Sequence, residues 1–106
     1  MSFSVEKIVF ELRQNFEALY GERLANMVLF GSHARGDADP GSDIDIMVIL
    51  EGVVNPGKEI ARTGDITAEL SLKYDVMVSC IFIPSTRFAT EQSPLLMNVR
   101  REGITA

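Results

Sequence analysis

Residues 43–50 read DIDIMVIL, and the rest of the chain is organised around this octapeptide. Behind its two aspartates run Ile44, Ile46, Met47, Val48, Ile49 and Leu50, so apolar side chains occupy both alternating sets of positions. A strand with apolar residues on both faces is buried on both sides, as the central strand of a covered sheet is. Asp43 and Asp45 are two apart and therefore point to the same face. Neighbouring carboxylates on an apolar strand repel each other and resist desolvation, and aspartate is depleted in strands. Two readings of the pair stand side by side. It can hold a metal ion, or Asp43 can cap the preceding turn while Asp45 faces solvent.

Working outward, residues 31–42, GSHARGDADPGS, form a turn-rich segment in which SHAR can make one helical turn. Before it, MVLF at 27–30 reads as a short buried strand ending at Gly31. Earlier still, Val5, Ile8, Val9, Leu12, Phe16, Leu19 and Tyr20 recur at helical spacing, with Ser2 or Ser4 placed to cap and Gly21 placed to stop the helix. After the strand, a turn at Glu51 to Gly57 leads to a helix from about Lys58 to Lys73, with Ile60, Thr67, Leu70 and Tyr74 on one stripe. Gly64 inside it costs about 1 kcal/mol relative to alanine, which favours a later start. Asp75 then opens a third strand, DVMVSCIFI, stopped by Pro84, and the last stretch to Glu102 is helical from Ser93, with Pro94 in its first turn. The order predicts a single α/β (α+β) domain over residues 1–106, with a small mixed central sheet of about three strands flanked by helices.

A chain of 106 residues carries one core. Its net charge of −5 and scattered basic residues disfavour direct nucleic-acid binding, which needs clustered Lys and Arg, but leave room for a local ATP site. There is no apolar run long enough to span a membrane and no signal peptide, so a cytoplasmic location is the default expectation. The single cysteine, Cys80, excludes an internal disulfide and a cysteine-based zinc site, and reads as a small buried apolar group.

If the strand opened by Asp75 neighbours the one opened by Asp43, their starts lie about 5 Å apart and three carboxylates converge at one sheet edge. Two divalent ions about 4 Å apart are a common device for in-line transfer at phosphorus, and hard oxygen ligands select Mg²⁺ or Mn²⁺ over zinc. If the strands do not pair so, Asp75 is an exposed strand-end residue. Gly31 lets backbone N–H groups approach a phosphate and Ser32 adds a hydroxyl. Arg35 can supply charge to a triphosphate or tie the loop down by a salt bridge. The GxxxxGK[ST] pattern of a P-loop is absent.

The run LFGSHARGDADPGSDIDIMV resembles the signature of the polymerase-beta-like nucleotidyltransferase superfamily: Gly-Ser, ten residues, then Asp-x-Asp. Its ARG and SD surroundings, the LSLKYDV segment and the closing NVRREGI are similar to the minimal nucleotidyltransferases. The resemblance implies Asp43, Asp45 and Asp75 as catalytic Mg²⁺ ligands, with Asp75 also helping to deprotonate an acceptor hydroxyl. It implies Gly31 and Ser32 as the holders of the β- and γ-phosphates of ATP, with Arg35 a further nucleotide contact. It also implies a partner, because minimal nucleotidyltransferases pair with a helical HEPN toxin, act as its antitoxin and transfer AMP to one of its tyrosines. Two alternatives stand beside this: neutralisation by contact alone, and a small-molecule nucleotidyltransferase whose acceptor pocket comes from another subunit. His33 reads as a variable loop position and Arg100 and Arg101 as helix-end cations. Leu95, Leu96 and Val99 are expected on an exposed, partner-facing side of the last helix.

Overall fold

The structure is a computed structural model describing residues 5–39 and 41–106, so the expected cap at Ser2 or Ser4 lies outside the described residues. Helix α1, Val5–Tyr20, buries Ile8, Val9, Leu12, Phe16 and Tyr20. Gly21 follows at φ 57°, the left-handed conformation expected of a stop. A 3-10 turn, Gly21–Arg23, leads into β1, Leu24–Phe30, which begins three residues earlier than its apolar core suggests. Helix α2 is the single turn Ser32–Arg35, and β2 is Ile44–Leu50. Helix α3 runs Pro56–Tyr74, β3 Val78–Pro84, α4 Ser85–Thr90, α5 Pro94–Glu102 and β4 Ile104–Thr105.

The strands form one mixed sheet in the order β3-β2-β1-β4. β1 is antiparallel to β2 and to β4, whereas β2 and β3 are parallel. The sheet thus has the expected mixed character, with β4 as a two-residue fourth strand and β2 between neighbours on both sides. From Ile46 to Leu50 no β2 residue is more than 2% exposed, as its double-sided apolar pattern requires. Ile44, Ile46, Val48 and Leu50 pack with Ile8, Leu12, Phe16 and Leu70 under α1 and α3. Met47 and Ile49 pack on the other face with Val28, Ile83, Leu96 and Val99 under α5. Leu96 and Val99 are therefore core residues, contrary to the expectation of an exposed trio; of the three, only Leu95 faces outward.

Helix α3 starts at Pro56, earlier than expected, because Asn55 accepts a capping hydrogen bond from the Lys58 N–H at 3.3 Å and proline fits the first helical position. Gly64 is tolerated in its middle. The buried face of α3 also differs from the apolar stripe: Glu59 and Thr63 are buried, while Ile60 is exposed. The cause is a polar network. The Tyr20 hydroxyl donates to Glu59 Oε1 at 2.7 Å and Arg23 Nη1 donates to Oε2 at 3.2 Å. Burial pushes the Glu59 carboxyl up, but these two hydrogen bonds and the charges of Arg62 and Arg23 together outweigh it and leave the group below its ordinary value. A paired carboxylate can thus sit where a hydrophobic pattern would place isoleucine.

Cys80 packs against the α1/α3 side of the core, and burial pushes its thiol up to about 12. At pH 8 the native protein is expected to react with a thiol reagent on the order of a thousandfold more slowly than the urea-unfolded chain, because the thiolate is the nucleophile. Equal rates in the two states would show an open, ordinary thiol.

Candidate active site

The site forms where β1 and β2 meet on the α5 side of the sheet. Phe30 pairs with Asp45 across the β1–β2 ladder, so the chain leaves β1 at Gly31 beside that carboxylate. Gly31 has φ 77° and ψ −156°, a conformation essentially confined to glycine. A Cβ built there would lie 2.5 Å from Asp45 Oδ2. Glycine is thus required twice over, by the backbone and by the approach of the carboxylate.

The Gly31 carbonyl accepts from the N–H groups of Ala34 and Arg35, each at 3.1 Å, and this closes the α2 turn. Gly36, at φ 83°, ends it. His33 Nε2 donates to the Ser42 carbonyl at 2.9 Å, tying α2 to the residue before Asp43. That contact gives His33 a positioning role which the sequence, offering one histidine without an evident partner, did not reveal. Arg35 Nε donates to Asp37 Oδ2 at 3.2 Å and its Nη1 lies 3.8 Å from Glu102 Oε2. Of the two roles open to Arg35, loop tethering is thus visible, and both ion pairs are exposed enough to exchange for a ligand.

Asp43 precedes β2 and is exposed; Asp45, inside β2, is half-buried. Burial pushes the Asp45 carboxyl up, as does the charge of Asp43, while His33 and Arg35 pull it down less strongly. Two like charges held on one face are costly unless something cationic sits between them.

Asp75 does not join them. It is the C-cap of α3, at φ 52° and ψ 49°, and its N–H donates to the Ser71 carbonyl. The strand it was expected to open begins only at Val78, and the parallel register sets Ile44 against Val78 and Asp45 against Ser79. Asp75 therefore lies three residues before the start of β3, at the C-terminal end of α3. Among the described residues no group of three or more His, Cys, Asp or Glu is placed to hold a metal ion. The side chain beside Asp45 on the neighbouring strand is the hydroxyl of Ser79.

The donor set fits one hard divalent cation. Mg²⁺ is commonly bound through one or two carboxylates, with substrate phosphates and water completing its shell. A Ser79→Asp substitution would put a third carboxylate on that face. It is expected to tighten Mn²⁺ binding, used as the probe, on the order of tenfold. Unchanged affinity would show that Ser79 does not border the ion.

A sheet with this topology, a glycine pressed against an aspartate and an acidic pair at the head of its central strand define a nucleotidyltransferase core. The chain belongs to the nucleotidyltransferase domain family, whose pattern matches residues 6–101. It is 32% identical over 80 residues to a Methanocaldococcus jannaschii protein provisionally named a protein adenylyltransferase, covering 76% of this chain and 80% of that one. Among solved structures, a toxin–antitoxin with AMP-PNP superposes with a TM-score of 0.65 at 22% identity, over 96% of this chain and 72% of that one. The complex of a tri-AMPylated Shewanella oneidensis HEPN toxin with its MNT antitoxin gives a TM-score of 0.54 at 19% identity, over 92% of this chain and 70% of that one. At these identities the structural likeness establishes a shared fold. No helix among the described residues is long and apolar enough to cross a membrane.

Proposed function

We propose that this chain is a Mg²⁺-dependent protein adenylyltransferase that moves AMP from ATP to a hydroxyl, a tyrosine by preference, of a HEPN-domain toxin, and so acts as its antitoxin. The observation that carries the reading is the close approach of Asp45 Oδ2 to Gly31, 2.5 Å from where a Cβ would stand, which sets the Gly-Ser turn beside that carboxylate. Support for the partner and the acceptor comes from the relatives: one is named for protein adenylylation, and one structural neighbour is a complex with a tri-AMPylated HEPN toxin.

In this reading the Ser32 hydroxyl and the backbone N–H groups at the start of α2 hold the β- and γ-phosphates, and Arg35 adds charge. Asp43 and Asp45 would hold one metal ion. Bound Mg²⁺ would supply charge neutralisation at the phosphate oxygens. The acceptor oxygen forms a bond to the α-phosphorus, the bond from that phosphorus to the bridging oxygen breaks, and pyrophosphate leaves with the electron pair. The hydroxyl proton passes to solvent, since among the described residues no third carboxylate is grouped with the pair. Catalysis by these residues is positioning and charge stabilisation.

One observation favours a second reading, neutralisation by contact without transfer. Ser79, not a carboxylate, borders Asp45. A single experiment separates the two. Wild type and an Asp43→Ala/Asp45→Ala variant are each incubated with ATP, Mg²⁺ and the HEPN partner, and intact masses are recorded. AMP addition to the partner by wild type alone supports the enzyme. Full neutralisation by the variant, with no mass change in either reaction, supports contact.

A further inference from the structure

Beside Gly31, a cleft of about 480 Å³ opens between α2 and α5. Phe30, Leu95 and Val99 form its apolar lining, and Arg35, Arg101 and Glu102 its charged lining. Glu102 reaches toward both arginines: its Oε2 is 3.8 Å from Arg35 Nη1 and its Oε1 is 3.4 Å from Arg101 Nη2. The same Arg101 Nη2 donates to Asn98 Oδ1 at 2.8 Å.

We infer that this α2–α5 cleft binds the pyrophosphate end of the donor nucleotide through Arg35 and Arg101, and that Glu102 occupies the anion position until the donor displaces it. Three features converge on a multiply charged phosphate rather than a carboxylate or a neutral ligand. Two guanidinium forks, each suited to bidentate contact with phosphate oxygens, come from different elements and share one carboxylate. Their two positive charges against one negative leave a net positive wall in a chain whose overall charge is −5. The cleft begins at Gly31, so an anion in it is continuous with phosphates held at Ser32.

All three ion-pairing side chains are about one-third exposed or more, and exposed pairs of this kind contribute little to stability. Displacement of Glu102 by a phosphate therefore costs little. It also gives the cleft a function after transfer, because the carboxylate returns as pyrophosphate leaves. Helix α5 thereby becomes part of the nucleotide site, although no residue of the Gly-Ser or Asp-x-Asp elements lies on it.

This inference rests on the nucleotidyltransferase reading but is tested without transfer. Binding of inorganic pyrophosphate in the presence of Mg²⁺ is measured by calorimetry on wild type, Glu102→Gln, Arg101→Ala and Arg101→Lys. Glu102→Gln is expected to tighten binding roughly tenfold by removing the competing anion, and Arg101→Ala to weaken it roughly tenfold. Arg101→Lys retains the charge without the fork and is expected to fall between wild type and Arg101→Ala. Thermal unfolding of all four should agree within a few degrees, because the substituted side chains lie at the surface. Wild-type affinity in Arg101→Ala, or weakened binding in Glu102→Gln, would overturn the assignment. Pyrophosphate binding that follows the expected order, with no AMP transfer to any partner, would leave the cleft standing and remove the proposed function instead.

Discussion

The Asp43→Ala/Asp45→Ala variant is expected to lose AMP transfer by about a thousandfold or more while remaining folded, because in the proposed mechanism these two carboxylates are the protein's anionic metal ligands. The single isostere Asp45→Asn sharpens the test. Folding raises the pKa of Asp45 above its ordinary value, chiefly through burial and secondarily through the charge of Asp43. A group whose pKa rises on folding contributes stability below its unfolded value and loses that contribution as pH climbs through the folded one. At neutral pH the ionised Asp45 therefore opposes folding, and asparagine removes the penalty. Asp45→Asn should raise the unfolding temperature while abolishing transfer, the opposite of what a structural aspartate would do. In wild type, acidification should weaken metal binding from a pH above the ordinary aspartate value, as Asp45 takes up a proton. A lower unfolding temperature in Asp45→Asn, or retained transfer in the double variant, would remove the pair from the mechanism.

The second large effect is expected at Gly31. Alanine there must adopt φ 77° and ψ −156°, at a cost of about 1–3 kcal/mol, with its Cβ directed at Asp45 Oδ2 from 2.5 Å. Either the turn or the carboxylate must move. A displacement of about 1 Å at a reacting centre costs on the order of a hundredfold in rate. Gly36→Ala provides the comparison, because Gly36 also has positive φ, at 83°, but nothing lies within 4 Å of its Cβ position. Both variants should lose stability; only Gly31→Ala should lose transfer and metal binding out of proportion to that loss. Equal losses of activity in the two variants would mean that backbone strain alone is responsible.

Much of this protein is legible locally. The double-sided apolar run of residues 44–50 marks the central strand, and helical spacing of Ile8, Leu12 and Phe16 marks the face of α1 that covers it. Ser93 and Pro94 announce the start of α5, where Ser93 accepts from the Leu96 N–H at 3.3 Å. Less was legible where a partner distant in sequence decides. Glu59 is buried because Tyr20 and Arg23 meet it, so α3 turns a different face inward from the one its apolar residues suggest. Leu96 and Val99 are core because the α5 side of the sheet presents Met47, Ile49 and Ile83 to them.

The same division runs through the octapeptide DIDIMVIL and its surroundings. Its alternation and the ten-residue spacing from Ser32 are properties of one continuous segment, and they suffice to set Asp43 and Asp45 two apart at the head of a strand and to carry the resemblance to the nucleotidyltransferase family. The neighbour of Asp45 is a property of two segments and of the register between them. Asp75 and Ser79 share strand parity, so periodicity alone would put either on the face of the pair. The left-handed turn at Asp75 and the pairing of Ile44 with Val78 chose Ser79, because α3 must end and reverse before β3 can enter the parallel ladder.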